Sequence, residues 1–294
     1  MMRKDESATE GLARRGFLGG VLSLAATPLA VRPALAQAAP VPAKPIGPAP
    51  GLPVQATPAV SPIPAPGGLL ERTVELTIEG TGRCSATFVQ APGSARMPGL
   101  LVVPDPGGLA APHARLVRRL AALGYMVLAP NLLGLFGSPD DRAVRARFVG
   151  LGAHATAAVL RHAAAWLATQ PGCTGSVGVV ALGWGGAGLS QLAGDPGPVK
   201  AMVLCSLPLP QEHIAGIKVP LQLHYAAVDD RAAPTIEATE KRLMGYSKIY
   251  EQFVYEGLTP AFLQESDERR YNEAAASLAL ERMEFFLARH LKPR

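Results

Sequence analysis

Residues Val177-Gly178-Val179-Val180-Ala181-Leu182 form an uninterrupted apolar run that breaks at Gly183-Trp184-Gly185-Gly186 and resumes as Ala187-Gly188-Leu189-Ser190-Gln191-Leu192. An apolar run without polar alternation suits a strand buried on both faces, as in a parallel sheet covered by helices. The three glycines in four positions then call for a sharp turn with close backbone approach. Strand, tight turn and helix in immediate succession is an α/β signature, and it constrains the fold more than any other stretch of the chain.

The segments around it obey the same alternation. Thr73–Ile78 alternates with period two, like a half-exposed strand, and Ala86–Val89 reads as its hairpin partner. Gly99–Val103 is a second buried run, ending in the loop Pro104-Asp105-Pro106-Gly107-Gly108. Helical apolar spacing covers 112–123, and Tyr125–Leu128 is the next strand. A helix is expected at 152–168, a strand at 176–182, and a helix to about 194. Strands follow at 201–204 and 221–225, then a helix at 234–245, a strand at 249–255 and a final helix at 268–291. Together these predict a mostly parallel sheet with helices on both faces. Sites in such sheets lie at the carboxyl ends of the strands, which directs attention to the loops 104–109, 183–186, 206–210, 227–232 and 256–263.

Composition narrows the class and divides the chain. Of 294 residues, 28 are Pro, 31 are Gly and 17% are charged, with 48% apolar; this excludes a wholly disordered chain and a long helical rod. The net charge of +5 comes without a Lys/Arg cluster interleaved with aromatics, so no nucleic-acid partner is expected. Arg14-Arg15-Gly16-Phe17-Leu18 opens an apolar stretch too short for a membrane span, and Ala34-Leu35-Ala36 is a small-x-small cleavage pattern. Residues 1–36 therefore resemble a twin-arginine (Tat) export signal, implying a periplasmic or secreted protein that crosses the membrane already folded. Residues 37–68 hold ten prolines and read as an extended spacer, because proline lacks the amide donor that helix and sheet need. The folded domain is then 69–294.

The turn after 177–182 has the geometry of a nucleophile elbow, Gly-x-Ser/Cys-x-Gly, where small residues flank the nucleophile because strand and helix pack closely. Ala181 and Gly185 fill the flanking places, and Gly183 stands at the centre. Residues 70–292 resemble the dienelactone hydrolase family of the α/β-hydrolase superfamily. The likeness is carried by 100–109, Leu128-Ala129-Pro130 with Leu132-Leu133, the elbow, 221–229, and Tyr271-Asn272-Glu273-Ala274-Ala275.

That resemblance implies an α/β-hydrolase fold and a Cys–Asp–His triad, of which this chain keeps one member. The family's Gly-Phe-Cys-Trp-Gly-Gly aligns with Ala181-Leu182-Gly183-Trp184-Gly185-Gly186, so the cysteine falls on Gly183. The acid falls on Asp229, and the histidine of Gly-x-x-His-Ala-Phe falls on Pro260 within Gly257-Leu258-Thr259-Pro260-Ala261-Phe262. The family's His-Glu-Asn-Arg-Gly loop is shortened here, leaving Asp105. Asp105, Trp184 and Gly185 are the pocket or oxyanion candidates.

Relocated chemistry has few candidates. His290 alone follows Asp229 and suits a helix end; His113, His154, His162, His213 and His224 precede it, and His224 in a strand reads as structural. Ser190 lies seven residues beyond Gly183, about 10 Å along a helix. Cys205 ends a strand on the relevant sheet edge and reads as a core thiol, or else as a substitute nucleophile with Asp105 or Asp229. Cys84 is placed in a peripheral strand and Cys173 in a loop before one. No metal-ligand spacing and no dinucleotide or phosphate fingerprint is present, so neither a metal nor a cofactor is expected. The reading that results is a non-catalytic, small-molecule-binding or scaffold protein of the cell envelope. The alternative is an ester or lactone hydrolase with a relocated nucleophile such as Cys205.

Overall fold

A computed structural model describes residues 68–292 apart from 79–81, 94, 105–110, 136–145, 147–149, 184 and 266. The expected export signal at 1–36, nearly all of the expected spacer at 37–68, Asp105 and Trp184 lie outside the described residues.

The strands are β1 (Leu70–Ile78), β2 (Gly82–Gln90), β3 (Met97–Val103), β4 (Met126–Pro130), β5 (Cys173–Leu182), β6 (Val199–Cys205), β7 (Leu221–Ala226) and β8 (Tyr250–Tyr255). They form one sheet in the order β1-β2-β4-β3-β5-β6-β7-β8. The β1–β2 and β2–β4 pairings are antiparallel, and every pairing from β4 to β8 is parallel. The chain steps from β3 outward to β4, then returns to place β5 on the other side of β3. The strand order therefore switches direction between β3 and β5, where doubly wound sheets open a crevice.

Among the described residues the helices are α1 (Ala111–Ala122), α2 (Ala153–Ala168), α3 (Gly186–Gly194), α4 (Ile236–Gly245) and α5 (Glu273–Leu291). Alternating strand residues feed two cores. Leu101, Val103, Val179, Ala181 and Leu204 pack with α2, α3 and α4 on one face, whereas Leu100, Val102, Val180 and Val203 pack with α1 and α5 on the other. Both faces of the central strands are thus covered, which is why their sequences show no polar alternation.

The structure moves some expected boundaries. The last helix begins at Glu273, not 268, because Asn272 caps it: its Oδ1 accepts from the Ala275 amide at 2.9 Å. A 3-10 turn over Ala233–Thr235 precedes α4, so the helix expected from 234 starts at Ile236. Cys173, expected in a loop, is the first residue of β5.

Helices sit close to the sheet and to each other because glycines remove side chains where they touch. A Cβ on Gly178 would lie 2.6 Å from Leu291 Cδ1 and 2.7 Å from Leu100 Cδ2; one on Gly188 would lie 2.5 Å from Thr156 Cβ and 3.1 Å from the Ala153 carbonyl oxygen. Gly188 therefore sets the spacing of α3 against α2. Gly188→Ala is expected to destabilise the fold by about 1–3 kcal/mol through this overpacking, measured by equilibrium denaturant unfolding.

Candidate active site

The loops after β5, β6, β7 and β8 meet along one sheet edge. After β5, Gly183 takes φ +72° and Gly185 takes φ +89°, both in the left-handed region that suits glycine. The Gly183 amide donates to the Cys205 carbonyl at 2.9 Å, holding the turn against the end of β6. Gly185 is the N-cap of α3, and its carbonyl accepts from the Leu189 amide at 2.7 Å. A Cβ at Gly186 would meet the Pro208 carbonyl oxygen at 2.5 Å, so α3 starts directly against the loop after β6. The turn therefore has the conformation of an elbow, with no side chain at its apex.

After β7, Asp229 is held in an Asx turn. Its Oδ1 accepts from the Arg231 amide at 3.0 Å and the Ala232 amide at 3.2 Å, and its carbonyl accepts from the Ala233 amide at 2.8 Å. Arg231 Nε lies 3.7 Å from Oδ1, but Arg231 is 61% exposed, so solvent weakens that pairing. The Asp229 side chain is only 2% exposed, and its Oδ2 has no hydrogen-bond partner among the described residues. An unpartnered buried carboxylate oxygen is costly, which sets Asp229 Oδ2 apart from the carboxylate oxygens engaged in ion pairs.

After β8, the Val228 amide donates to the Leu258 carbonyl at 2.9 Å, which brings the Asp229 loop beside Thr259 and Pro260. Thr259 is extended at φ −96° and ψ 163°, as the residue before proline must be. Pro260 opens the 3-10 turn Pro260–Leu263, whose second half packs Phe262 into the core. Pro260, the position expected from the resemblance to match the family histidine, is a rigid ring with no titratable group. Gly183, Asp229 and Pro260 lie on loops at the same edge of the sheet.

Outside these three loops, the other candidates are engaged elsewhere. Cys205 is 2% exposed, and burial pushes its thiol up to about 12, far from the thiolate a nucleophile requires. Ser190 is buried in α3; its Oγ lies 2.8 Å from the Ala187 carbonyl oxygen and 2.7 Å from His213 Nδ1. That serine–histidine contact joins α3 to the 3-10 turn Gln211–Gly216, and no sequence spacing announces it. His290, in the last turn of α5, packs its ring 4.6 Å from Phe286. Among the described residues, no three His, Cys, Asp or Glu side chains converge as a metal site would need, and no helix is long and apolar enough to cross a membrane.

His224 is fully buried between β7, β8 and α5. Its Nε2 lies 2.9 Å from Gln222 Oε1, and Gln222 Nε2 donates to Glu251 Oε2 at 2.8 Å and to the Arg282 carbonyl at 3.0 Å. The amide oxygen of Gln222 therefore accepts from His224 Nε2–H. Nδ1 must then accept, which it does from the Tyr255 hydroxyl at 2.9 Å. Burial, reinforced by the Arg282 charge, lowers the imidazole from its ordinary 6.5 to about 3. The ring is a neutral brace between β7 and β8.

Sequence inspection missed two polar groups at the site edge. Ser206, immediately after β6, is 3% exposed and adopts φ +53°; its Oγ has no partner among the described residues. Thr259 Oγ1 is also buried without one. Both lie in loops singled out by fold logic, but a hydroxyl's lack of a partner has no sequence signal.

Because the unfolded state protonates His224 near pH 6.5 and the folded state resists until about 3, the unfolded chain holds more protons across that window. Stability should fall as pH drops from about 6.5 toward 3, by up to about 1.4 kcal/mol per pH unit from this group. Urea unfolding of the unaltered protein and of His224→Gln at several pH values checks this: the variant should show the shallower slope.

The sequence profile of the dienelactone hydrolase family matches residues 85–291. No curated protein matches the chain. Among solved structures, a Klebsiella pneumoniae protein put forward as a dienelactone hydrolase superposes with a TM-score of 0.67 at 23% identity, covering 76% of this chain and 99% of its own. A dienelactone hydrolase-like promiscuous phosphotriesterase from metagenomic libraries gives 0.65 at 21% identity, covering 76% and 100%. The dienelactone hydrolase of Anabaena variabilis gives 0.59 at 20% identity, covering 76% and 100%. At these identities the structural likeness establishes the fold.

Proposed function

Because the chain belongs to the dienelactone hydrolase family, we propose that it keeps the family's α/β-hydrolase fold and cleft without the hydrolase chemistry, as a small-molecule-binding or scaffold protein. One observation carries this reading: Gly183 occupies the nucleophile position and Pro260 the histidine position, while the turn and the acid at Asp229 remain. A covalent hydrolase needs a nucleophile, a base within hydrogen-bond reach and a group orienting that base. Glycine supplies no attacking atom, and proline supplies neither a proton acceptor nor a donor.

A relocated nucleophile finds little support. Cys205 is enclosed by the core with its thiol raised, and Ser190 is bound within α3 to its own helix and to His213. The remaining capacity is binding. On the resemblance to the family, Asp105, Trp184 and Gly185 are the pocket or oxyanion candidates. In this reading Asp229 is a retained triad position, and Gly183 and Pro260 are degenerate ones.

The same proposal places the protein in the cell envelope. The twin arginines Arg14-Arg15 and the Ala34-Leu35-Ala36 pattern support Tat export and cleavage after residue 36, with the proline-rich 37–68 as a spacer ahead of the domain at 69–294. Expression in a Tat-competent bacterium should yield periplasmic protein whose N-terminal residue is Gln37, and Arg14→Lys with Arg15→Lys should retain it in the cytoplasm; N-terminal sequencing and fractionation read both.

Hydrolysis of an activated aryl ester tests the chemical half of the proposal. The purified protein should turn the ester over no faster than the buffer control. Gly183→Cys combined with Pro260→His should raise the rate by about 10²-fold or more, since the double change supplies nucleophile and base beside a retained acid. Turnover by the unaltered protein that vanishes in Cys205→Ala would overturn the non-catalytic reading.

A further inference from the structure

We propose that the cleft of this protein binds a primary ammonium group carried on a small apolar body, held by Asp229 Oδ2 with the hydroxyls of Ser206 and Thr259. The proposal rests on the binding reading above and adds the chemical class of the ligand. Three buried polar atoms without partners among the described residues occur on three successive strand-end loops: Ser206 Oγ after β6, Asp229 Oδ2 after β7 and Thr259 Oγ1 after β8. The β6–β7 and β7–β8 pairings place these loops side by side. Two backbone bonds tie them further: the Ser206 amide donates to the His224 carbonyl at 2.8 Å, and the Val228 amide donates to the Leu258 carbonyl at 2.9 Å.

The donor–acceptor balance selects the ligand. A carboxylate only accepts, and each hydroxyl can accept as well as donate, so with the carboxylate fixing the sign of the charge the three atoms can all accept from one cation. A protonated primary amine presents three N–H donors and a positive charge; a charge-assisted bond to a buried carboxylate is the strongest of the contacts available. Oδ1 is already taken by two turn amides, which leaves Oδ2 as the free acceptor and fixes the carboxylate plane. Pro260 occupies the place of the family histidine, so no neighbouring imidazole competes for Oδ2. Apolar residues flank these loops: Val228, adjacent to Asp229, is 54% exposed, and Leu182 at the end of β5 and Leu258 before Thr259 are partly buried. The overall charge of +5 disfavours diffuse cation binding, so an ammonium that binds here does so through local contacts.

Titration of the full-length protein with n-butylammonium, 1-butanol and tetramethylammonium at fixed ionic strength, followed by calorimetry, separates the contributions. Butylammonium should saturate one site and bind at least about tenfold more tightly than either comparison, since butanol lacks the charge and tetramethylammonium lacks N–H donors. Asp229→Asn keeps an Oδ1 acceptor for the turn amides and should weaken butylammonium by about tenfold or more. Thr259→Val, which keeps shape and removes one acceptor, should weaken it by about threefold and leave butanol unchanged. Equal affinity for the three probes, or Asp229→Asn binding as the unaltered protein does, overturns the proposal. Should Asp229→Asn fail to fold, the probe comparison and Thr259→Val decide it. The ester assay is independent: turnover with selective ammonium binding overturns only the non-catalytic reading, and absence of both overturns only this one.

Discussion

The junction between β5 and α3 is the constraint on which the rest of the structure depends. The chain must leave a buried central strand, reverse within three residues and start a helix against both the loop after β6 and the neighbouring α2. Left-handed backbone at Gly183 and Gly185 makes the reversal. The missing side chains at Gly186 and Gly188 let α3 approach the Pro208 carbonyl and Thr156. Glycine meets all of these demands with little steric strain, at the cost of greater chain entropy in the unfolded state. A residue with a side chain at the centre of such a turn must tolerate strain of order 1–3 kcal/mol; glycine there relieves that strain.

This junction also organises the polar groups. Because β5 through β8 run parallel, all of their following loops emerge at one edge, and the pairing register sets Ser206, Asp229 and Thr259 on adjacent loops there. The opposite arrangement holds beneath. His224, Gln222, Glu251 and Tyr255 form a closed hydrogen-bonded set under α5 in which each described contact has a donor and an acceptor. One polar cluster is hydrogen-bonded and acts as a brace, while Ser206 Oγ, Asp229 Oδ2 and Thr259 Oγ1 at the strand ends have no partner among the described residues.

Much of the fold was legible in the residues because the governing signals are local. The apolar runs at 99–103 and 177–182, the helical spacing at 112–123 and 152–168, and the turn glycines each announce an element from near neighbours along the chain. Boundaries that depended on a side chain reaching backbone, such as the Asn272 cap that delays α5, were misplaced by several residues. At the site, Gly183, Asp229 and Pro260 could be singled out because each lies in its own short segment that resembles a family motif. The Ser190–His213 contact spans 23 residues, and the orphaned hydroxyls of Ser206 and Thr259 depend on what every neighbour does.

The sequence by itself determined the alternation of strand and helix and the glycine turn, because periodicity and conformational preference are properties of single residues and their near neighbours. Only the tertiary structure decided that Cys205 is enclosed, that His224 is a neutral brace, and that Asp229 has one oxygen held and the other unmatched. Burial and hydrogen-bond saturation are sums over atoms distant along the chain, and those sums exist only once the sheet has brought its strand ends together.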